Sequence, residues 1–290
     1  MAGAGKSSRH RLFPFAAPLL LSAVIGAARA ATTDGKMYRL DCGHMTLGDK
    51  SVMSDADMYK GESLDIVMSC YLIQHGKDWL LWDAGLPRKY LAGPLTEGSF
   101  TTRLDRTVAD QIAELGLTPD DITYIAVSHS HFDHAGQVAD FPNATLIIQR
   151  AEIEAMADTA KASKHYIDAS LFSSHIAGNS LKRVKVVDGD ADLFGDGSLK
   201  TIHTPGHTPG SMALLVNFRH AGPYVLSGDQ WHFTENHERR QVPTWNYDHD
   251  HTIRSGKKLD DVIAAMRATL VIQHEPADNV KLPKLPGFVD

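Results

Sequence analysis

A chain of 290 residues that is 43% apolar has ample material for a buried core, which excludes a disordered or fibrous protein and leaves room for one large or two small domains. The formal net charge is −6, and residues 1–30 hold four positive charges (Lys6, Arg9, Arg11, Arg29) and no acids, so the remainder carries −10. That balance excludes nucleic acid as an expected partner.

Lys6, Arg9 and Arg11 precede an apolar run from Leu12 to Ala28, and Ala28-Arg29-Ala30 is a small-x-small cleavage site. This is the pattern of a secretory signal peptide over residues 1–30. The run is short for a membrane span and contains Pro14 and Pro18, so no stable span is expected after cleavage. The mature chain, residues 31–290, is expected to be one domain in the periplasm or outside the cell. Export also permits a disulfide between Cys42 and Cys70, with two buried free thiols as the other reading.

Met37 to Cys42 predicts a first strand, and the Gly, Asp, Met and Ser content from Gly43 to Gly61 predicts a loop. Leu64 to Gln74 is a long strand, His75-Gly76-Lys77-Asp78 a tight turn, and Trp79 to Asp83 the returning strand of a hairpin. Asp83 ends that strand among large apolar residues and needs a hydrogen-bonding partner. From Arg103 to Leu117, the spacing of Leu104, Val108, Ile112 and Leu115 predicts a helix that Gly116 and Pro119 stop. Ile122 to Val127 then reads as a buried strand. Ala144 to Gln149 follows as a strand, Ala151 to Lys161 as a helix, and Ala162 to Lys182 as helix plus loop. Four more strands are expected at Val184 to Val187, Leu199 to His203, Ser211 to Phe218 and Tyr224 to Leu226. A long loop from Gln230 to Arg254, a helix from Lys257 to Ala268 and a strand from Thr269 to Gln273 close the chain. Hairpin strands with helices between and outside them predict two sheets packed face to face with helices on the outer faces.

The buried strand ending at Val127 runs into Ser128-His129-Ser130-His131-Phe132-Asp133-His134-Ala135-Gly136, with three imidazoles and a carboxylate in six positions. In extended chain, alternate residues share a side, so His129, His131 and Asp133 can converge while His134 enters the following turn and reaches a second point nearby. Two dications sharing one site need about eight ligand positions, so further donors are required. The chain offers His207 in the turn Thr204-Pro205-Gly206-His207-Thr208-Pro209-Gly210, Asp229 after the strand at Tyr224 to Leu226, and His274 after the last strand.

With its spacing His129-x-His131-x-Asp133-His134 followed by His207, Asp229 and His274, the chain resembles the metallo-β-lactamase superfamily over nearly all of its mature length. The resemblance implies an αββα sandwich of two mixed sheets. It also implies that His129, His131 and His207 bind one metal, that Asp133, His134 and His274 bind the other, and that Asp229 bridges them. Asp83-Ala84-Gly85 resembles the family's buried Asp that steadies the ligand loops. Among the branches, the N-acyl homoserine lactone lactonases are most similar: the length fits, as do Ser69-Cys70-Tyr71-Leu72-Ile73, the run His203 to Gly210 and an ending soon after the last ligand. One departure stands out. Those enzymes place a Tyr three residues after the bridging Asp, and here the residue is His232.

The implied function is therefore a dinuclear metal-dependent hydrolase that opens the ring of N-acyl homoserine lactones by attack of a metal-bridging hydroxide. Asp133 and His232 are the candidate catalytic groups. Other hydrolysis on the same fold (β-lactam, aryl ester or thioester) and a non-catalytic metal-binding protein are the alternatives. Zinc is the expected metal, with iron, cobalt or manganese also compatible with imidazole and carboxylate ligands. The partner is a small-molecule lactone or ester, and a homodimer stays open. Met45, Met53, Phe100, Trp231, Phe233 and Trp245 are candidates for lining an acyl groove.

Overall fold

A computed structural model describes residues 1–3, 31–177 and 180–290, so the signal expected over residues 1–30 lies almost wholly outside the described residues. Strand β1 (Met37–Leu47) leads through a short 3-10 turn to β2 (Leu64–His75), which turns tightly into β3 (Asp78–Trp82). The small hairpin β4 (Leu95–Glu97) and β5 (Phe100–Arg103) precedes helix α1 (Val108–Ile112). Then come β6 (Tyr124–Ala126), α2 (Phe132–Ala135), β7 (Thr145–Gln149), α3 (Arg150–Ala157) and α4 (Thr159–Lys164). Two-residue strands β8 (Ile176–Ala177) and β9 (Ser180–Leu181) pair only with each other, and β10 (Val184–Val187) follows. The C-terminal part holds β11 (Ala191–Asp192), β12 (Leu199–His203), β13 (Met212–Phe218), β14 (Gly222–Leu226), α5 (Thr234–Arg239), α6 (His249–Met266), β15 (Thr269–Val271) and α7 (Pro276–Asn279).

The strands form two mixed sheets. The larger has the order β10-β7-β6-β3-β2-β1-β5-β4 and the smaller the order β11-β12-β13-β14-β15. In the first, β10, β7, β6 and β3 run parallel to one another, and β3-β2-β1-β5-β4 pair antiparallel. In the second, only β14 and β15 pair parallel.

Three buried clusters show why the sheets stack. Tyr71, Ile73, Leu80 and Trp82 of the first sheet meet Leu214, Val216, Leu226 and Val271 of the second in one core. On the opposite face of the same sheet, side chains such as Leu40, Leu72 and Leu81 pack with Val108 and Ile112 of α1 and Met156 of α3. Ile202, Ala213 and Leu215 on the outer face of the second sheet pack against Leu259 of α6, with Val262 and Ile263 beside it. Strands buried on both faces need apolar residues at successive positions, which is how β2 and β13 read. The layers are thus helix, sheet, sheet, helix, as expected.

Three stretches differ from the sequence expectation. The first strand continues to Leu47 across a β-bulge between Asp41 and His44 instead of giving way to a loop at Gly43. The expected helix from Arg103 is shortened to Val108–Ile112 with a 3-10 turn after it, because Arg103 belongs to the β5 strand and Thr107 caps the helix through a reciprocal pair of bonds with Asp110. The stretch read as a long loop contains α5, and α6 begins at His249, capped by Asp248, rather than at Lys257. Cys42 and Cys70 form a disulfide across β1 and β2, with Cα atoms 5.8 Å apart. Among the described residues no helix is long and apolar enough to cross a membrane.

Candidate metal centre

Strands β3, β6, β12, β14 and β15 deliver the loops after their carboxyl ends to one edge of the sandwich, and these loops carry the singled-out side chains. Two groups result. His129, His131, His207 and Asp229 place one donor atom each within 4.8 Å of one another and are buried, and so do Asp133, His134 and His274, of which Asp133 is half-buried. His131 ends the extended segment, and α2 begins immediately after it. Asp133 and His134 therefore stand in a helical turn, so the extended geometry expected for Asp133 is replaced by a turn that brings it to the second group.

Nitrogen lone pairs face each other in both groups. His207 Nε2 lies 3.2 Å from His129 Nε2 and 3.0 Å from His131 Nδ1, while His134 Nε2 and His274 Nε2 are 3.1 Å apart. The other ring nitrogen of each histidine is held from behind. Ser128 Oγ lies 3.0 Å from His129 Nδ1, and Asn246 Oδ1 lies 3.0 Å from His207 Nδ1. His131 Nε2–H donates to the His165 carbonyl (2.8 Å) and His274 Nδ1–H to the Val67 carbonyl (2.8 Å), while Asp83 Oδ2 faces His134 Nδ1 at 2.9 Å. Such partners orient the rings and fix the tautomers that leave the inward nitrogens free as ligands.

Asp229 stands between the groups. Its Oδ1 is 3.0 Å from both His134 Nε2 and His274 Nε2, and its Oδ2 is 3.2 Å from His207 Nε2 and 3.8 Å from His129 Nε2. Oδ1 is buried without a hydrogen-bond partner, which fits a cation as its missing neighbour. Burial alone would raise the Asp229 carboxyl, but the imidazoles of His134, His274, His232 and His129 outweigh it and hold the pKa well below the usual range. Burial and the neighbouring imidazoles push His129 and His131 well below the ordinary histidine value, so both present the neutral ring that metal coordination requires. At His134 burial works against the protonated ring, yet Asp229, Asp133 and Asp83 prevail and raise its pKa, so an ion bound in this cluster would have to displace a proton from the ring. Each of the two clusters has the donor set and spacing to hold a metal ion.

Asp83 has found its partners. It is buried at φ +61°, a strained conformation for a side chain of this kind, and accepts the Ser128 N–H (2.6 Å) and the Gln273 amide (2.9 Å) besides facing His134. Gln273 in turn accepts from the Trp82 indole (2.9 Å) and the Gly228 N–H (2.9 Å), tying the end of β15 to both sheets.

His232 is buried beside the site. Its Nε2 lies 3.1 Å from Asp229 Oδ2, but neither ring nitrogen makes a well-directed hydrogen bond. Burial, only partly offset by Asp229, lowers its pKa, which favours the neutral ring.

A cavity of about 550 Å³ opens over both clusters, within the range that holds small ligands. Asp133, Asp229, His232 and His274 form its polar floor, and Met45, Met53, Ile66, Phe100, Phe132 and Trp245 supply apolar walls. Trp231 and Phe233, expected to line a groove, do not reach it. Trp231 packs under α6 and Phe233 joins the core beside Tyr59, because both follow the Asp229 turn into the protein. The sequence reading also missed Glu152, Ser128, Asn246 and Gln273. Nothing in the sequence distinguishes Glu152 from Glu154 two residues on, since only the tertiary fold turns one of them inward.

An αββα sandwich with a dinuclear His/Asp site at the carboxyl ends of its strands defines a class of metal-dependent proteins. The family model described as the metallo-beta-lactamase superfamily matches residues 67–274, and the chain belongs to that superfamily. Among curated relatives, an N-acyl homoserine lactonase of a Bacillus species is 30% identical over 248 residues, covering 83% of this chain and 93% of that one. Among solved structures, a variant of AiiA from B. thuringiensis with N-decanoyl-L-homoserine bound at its active site superposes with TM-score 0.74 at 26% identity, covering 89% of this chain and all of that one. An N-acyl homoserine lactone hydrolase with its product N-hexanoyl-L-homoserine bound at the catalytic metal centre matches equally well, with TM-score 0.74, 26% identity and the same coverage.

Proposed function

We propose that the protein is a dinuclear metal-dependent hydrolase that opens the lactone ring of N-acyl homoserine lactones. The observation that carries this reading is the placement of the two His/Asp clusters on the floor of an apolar-walled cavity large enough for a lactone headgroup and an acyl chain. The lactonase relatives and the acyl-homoserine complexes of the similar structures support the substrate class.

In this reading His129, His131 and His207 hold one ion, Asp133, His134 and His274 the other, and Asp229 gives one oxygen to each. Two divalent ions held there supply a nucleophile by lowering the pKa of bound water and supply positive charge to the carbonyl oxygen. Zinc fits the imidazole-rich donors best. The chain's own groups do the rest. His232, buried on the cavity floor with neither ring nitrogen in a well-directed hydrogen bond, would donate to the oxygen on which charge develops. Asp133 faces the cavity with its Oδ2 3.6 Å from His274 Nε2, so its other oxygen could take the proton that the attacking water gives up and return it to the departing ring alcohol. The apolar walls exclude water from the acyl chain.

The reading extends to location. The basic and apolar leader supports export, and the Cys42–Cys70 disulfide supports an oxidising compartment. Fractionation of cells expressing the full chain checks it, with activity expected outside the cytoplasm.

Purified protein loaded with Zn²⁺ is expected to release acid from N-decanoyl-L-homoserine lactone in a pH-indicator assay. Absence of acid release across short and long acyl chains overturns the assignment, and turnover of a β-lactam or aryl ester alone moves it to another hydrolysis.

A further inference from the structure

We propose that Glu152 is a positioning residue that clamps together the two loops of the first ligand cluster and thereby sets the affinity for the ion held by His129, His131 and His207. The inference rests on the dinuclear reading above and deepens it.

Glu152 lies in the first turn of α3 and is wholly buried. A carboxylate removed from water needs hydrogen bonds to all of its charge, and here four neutral donors point at it. Its Oε1 accepts the backbone N–H (2.8 Å) and the hydroxyl of Ser130. Its Oε2 accepts the Thr208 hydroxyl (2.8 Å) and the Gly210 N–H (2.7 Å). Ser130 sits between His129 and His131, and Thr208 follows His207, so each oxygen holds one of the two loops that build the first cluster.

The close approach is built into the second loop. A Cβ at Gly210 would stand 2.5 Å from Glu152 Cβ and 2.6 Å from its backbone nitrogen, so only glycine lets this loop close onto α3. Glu152 touches none of the imidazoles and acts through the backbone that carries them. Asp83 has the matching place at the second cluster, where it holds Ser128, His134 and Gln273. Asp83 also reaches the first cluster indirectly, because Ser128 Oγ lies 3.0 Å from His129 Nδ1, whereas of the two carboxylates only Glu152 ties the His129–His131 loop to the His207 loop. Loss of a partner behind a metal ligand typically weakens metal affinity about 10–100-fold.

The test is a titration of the metal-free full chain with Zn²⁺ by calorimetry and with Co²⁺ by visible absorption, beside the thermal midpoint of the metal-free protein. Wild-type protein is expected to bind two equivalents. Glu152→Gln keeps the side-chain volume but turns an amide NH₂ towards groups that are themselves donors. It is expected to weaken one equivalent about 10–100-fold and to leave the other unchanged. Thr208→Val leaves the carboxylate in place and removes one of its four donors. It is expected to weaken the same equivalent to a smaller degree, and it carries the test if Glu152→Gln does not fold. Unchanged binding of both equivalents in the variants overturns the proposal. So does equal weakening of both with a lowered midpoint of the metal-free protein, the mark of general support to the fold. Wild-type protein that binds no metal overturns the dinuclear reading and this proposal with it.

Discussion

His232 shows how much a single buried imidazole can be asked to do. Its Nε2 stands 3.1 Å from Asp229 Oδ2, its ring lies 5.1 Å from that of His207, and Trp245 covers it at 5.7 Å. If it serves as an oxyanion donor and not as a ligand, His232→Phe is expected to lower kcat by about 10²–10³-fold while elemental analysis still finds the wild-type metal content. Loss of metal in that variant would instead make His232 a ligand. Asp196 offers a test unrelated to the site. Burial alone would raise its carboxyl, but bonds from Ser198 and the His75 imidazole 2.8 Å away outweigh it and lower the pKa to about 2. Because the folded value is the lower one, the contribution is complete above the unfolded pKa of about 3.9 and is lost as pH falls through the folded one. The carboxylate is 44% exposed, so solvent screening limits the effect to about 0.5 kcal/mol. Denaturant melts of Asp196→Asn should show that deficit at pH 6 and a shrinking gap as acid is added. At this scale the sequence was legible where chemistry is dense, as in His129 to His134, whose spacing few other roles explain. It was silent on the groups behind the rings, because Asn246 and the carbonyls of His165 and Val67 come from distant or unremarkable positions.

Among the elements, the long apolar strands were readable and the short polar ones were not. β2 and β13 are buried on both faces and announce themselves by unbroken apolar runs. The β4–β5 hairpin is largely exposed, so no burial pattern marks it, and 3-10 turns such as that at Lys50–Met53 are too short to carry a period. The bulge in β1 could not be foreseen either, since it depends on pairing with β2. Beside that bulge the Cys42–Cys70 bridge closes a loop with a sequence separation of 28 residues. Linking the unfolded chain over that span is expected to stabilise the fold by about 2–4 kcal/mol. The double variant Cys42→Ser, Cys70→Ser should lose that amount in urea melts, and added reductant should have no further effect on it. A wild-type protein whose melt is the same with and without reductant, after thiol labelling has shown the bridge to be open, would contradict the estimate.

Taken whole, the molecule joins two sheets through one apolar core and then again at one edge, where ligands from the first sheet (His129, His131, Asp133, His134) meet ligands from the second (His207, Asp229, His274). Ions held there, as proposed, would act as cross-links between the sheets, and metal affinity would become folding stability. Chelation of both is expected to lower the thermal midpoint, with about 2.7 kcal/mol lost per site when free ion had stood about a hundredfold above its Kd. A midpoint indifferent to chelator, with elemental analysis confirming that metal has gone, would show that the edge is already held by protein contacts such as Gln273 with Trp82 and Gly228. The arrangement of layers could be anticipated because alternating hairpins and helices admit few packings. Which loops meet was not visible in the spacing alone, since residues 129 and 274 become neighbours only when the sheets stack.

Their wide separation along the chain also sets a timetable. Cys42 and Cys70 both precede every member of the two His/Asp clusters, so the covalent bridge joins residues that come before the ligand loops begin. The first ion cannot be fully enclosed before Asp229 has appeared, nor the second before His274, which is sixteen residues from the last. A chain cut short before its closing strand is thus expected to keep the Cys42–Cys70 bridge and to bind at most one ion, which thiol labelling and elemental analysis of a truncation ending before Thr269 would check.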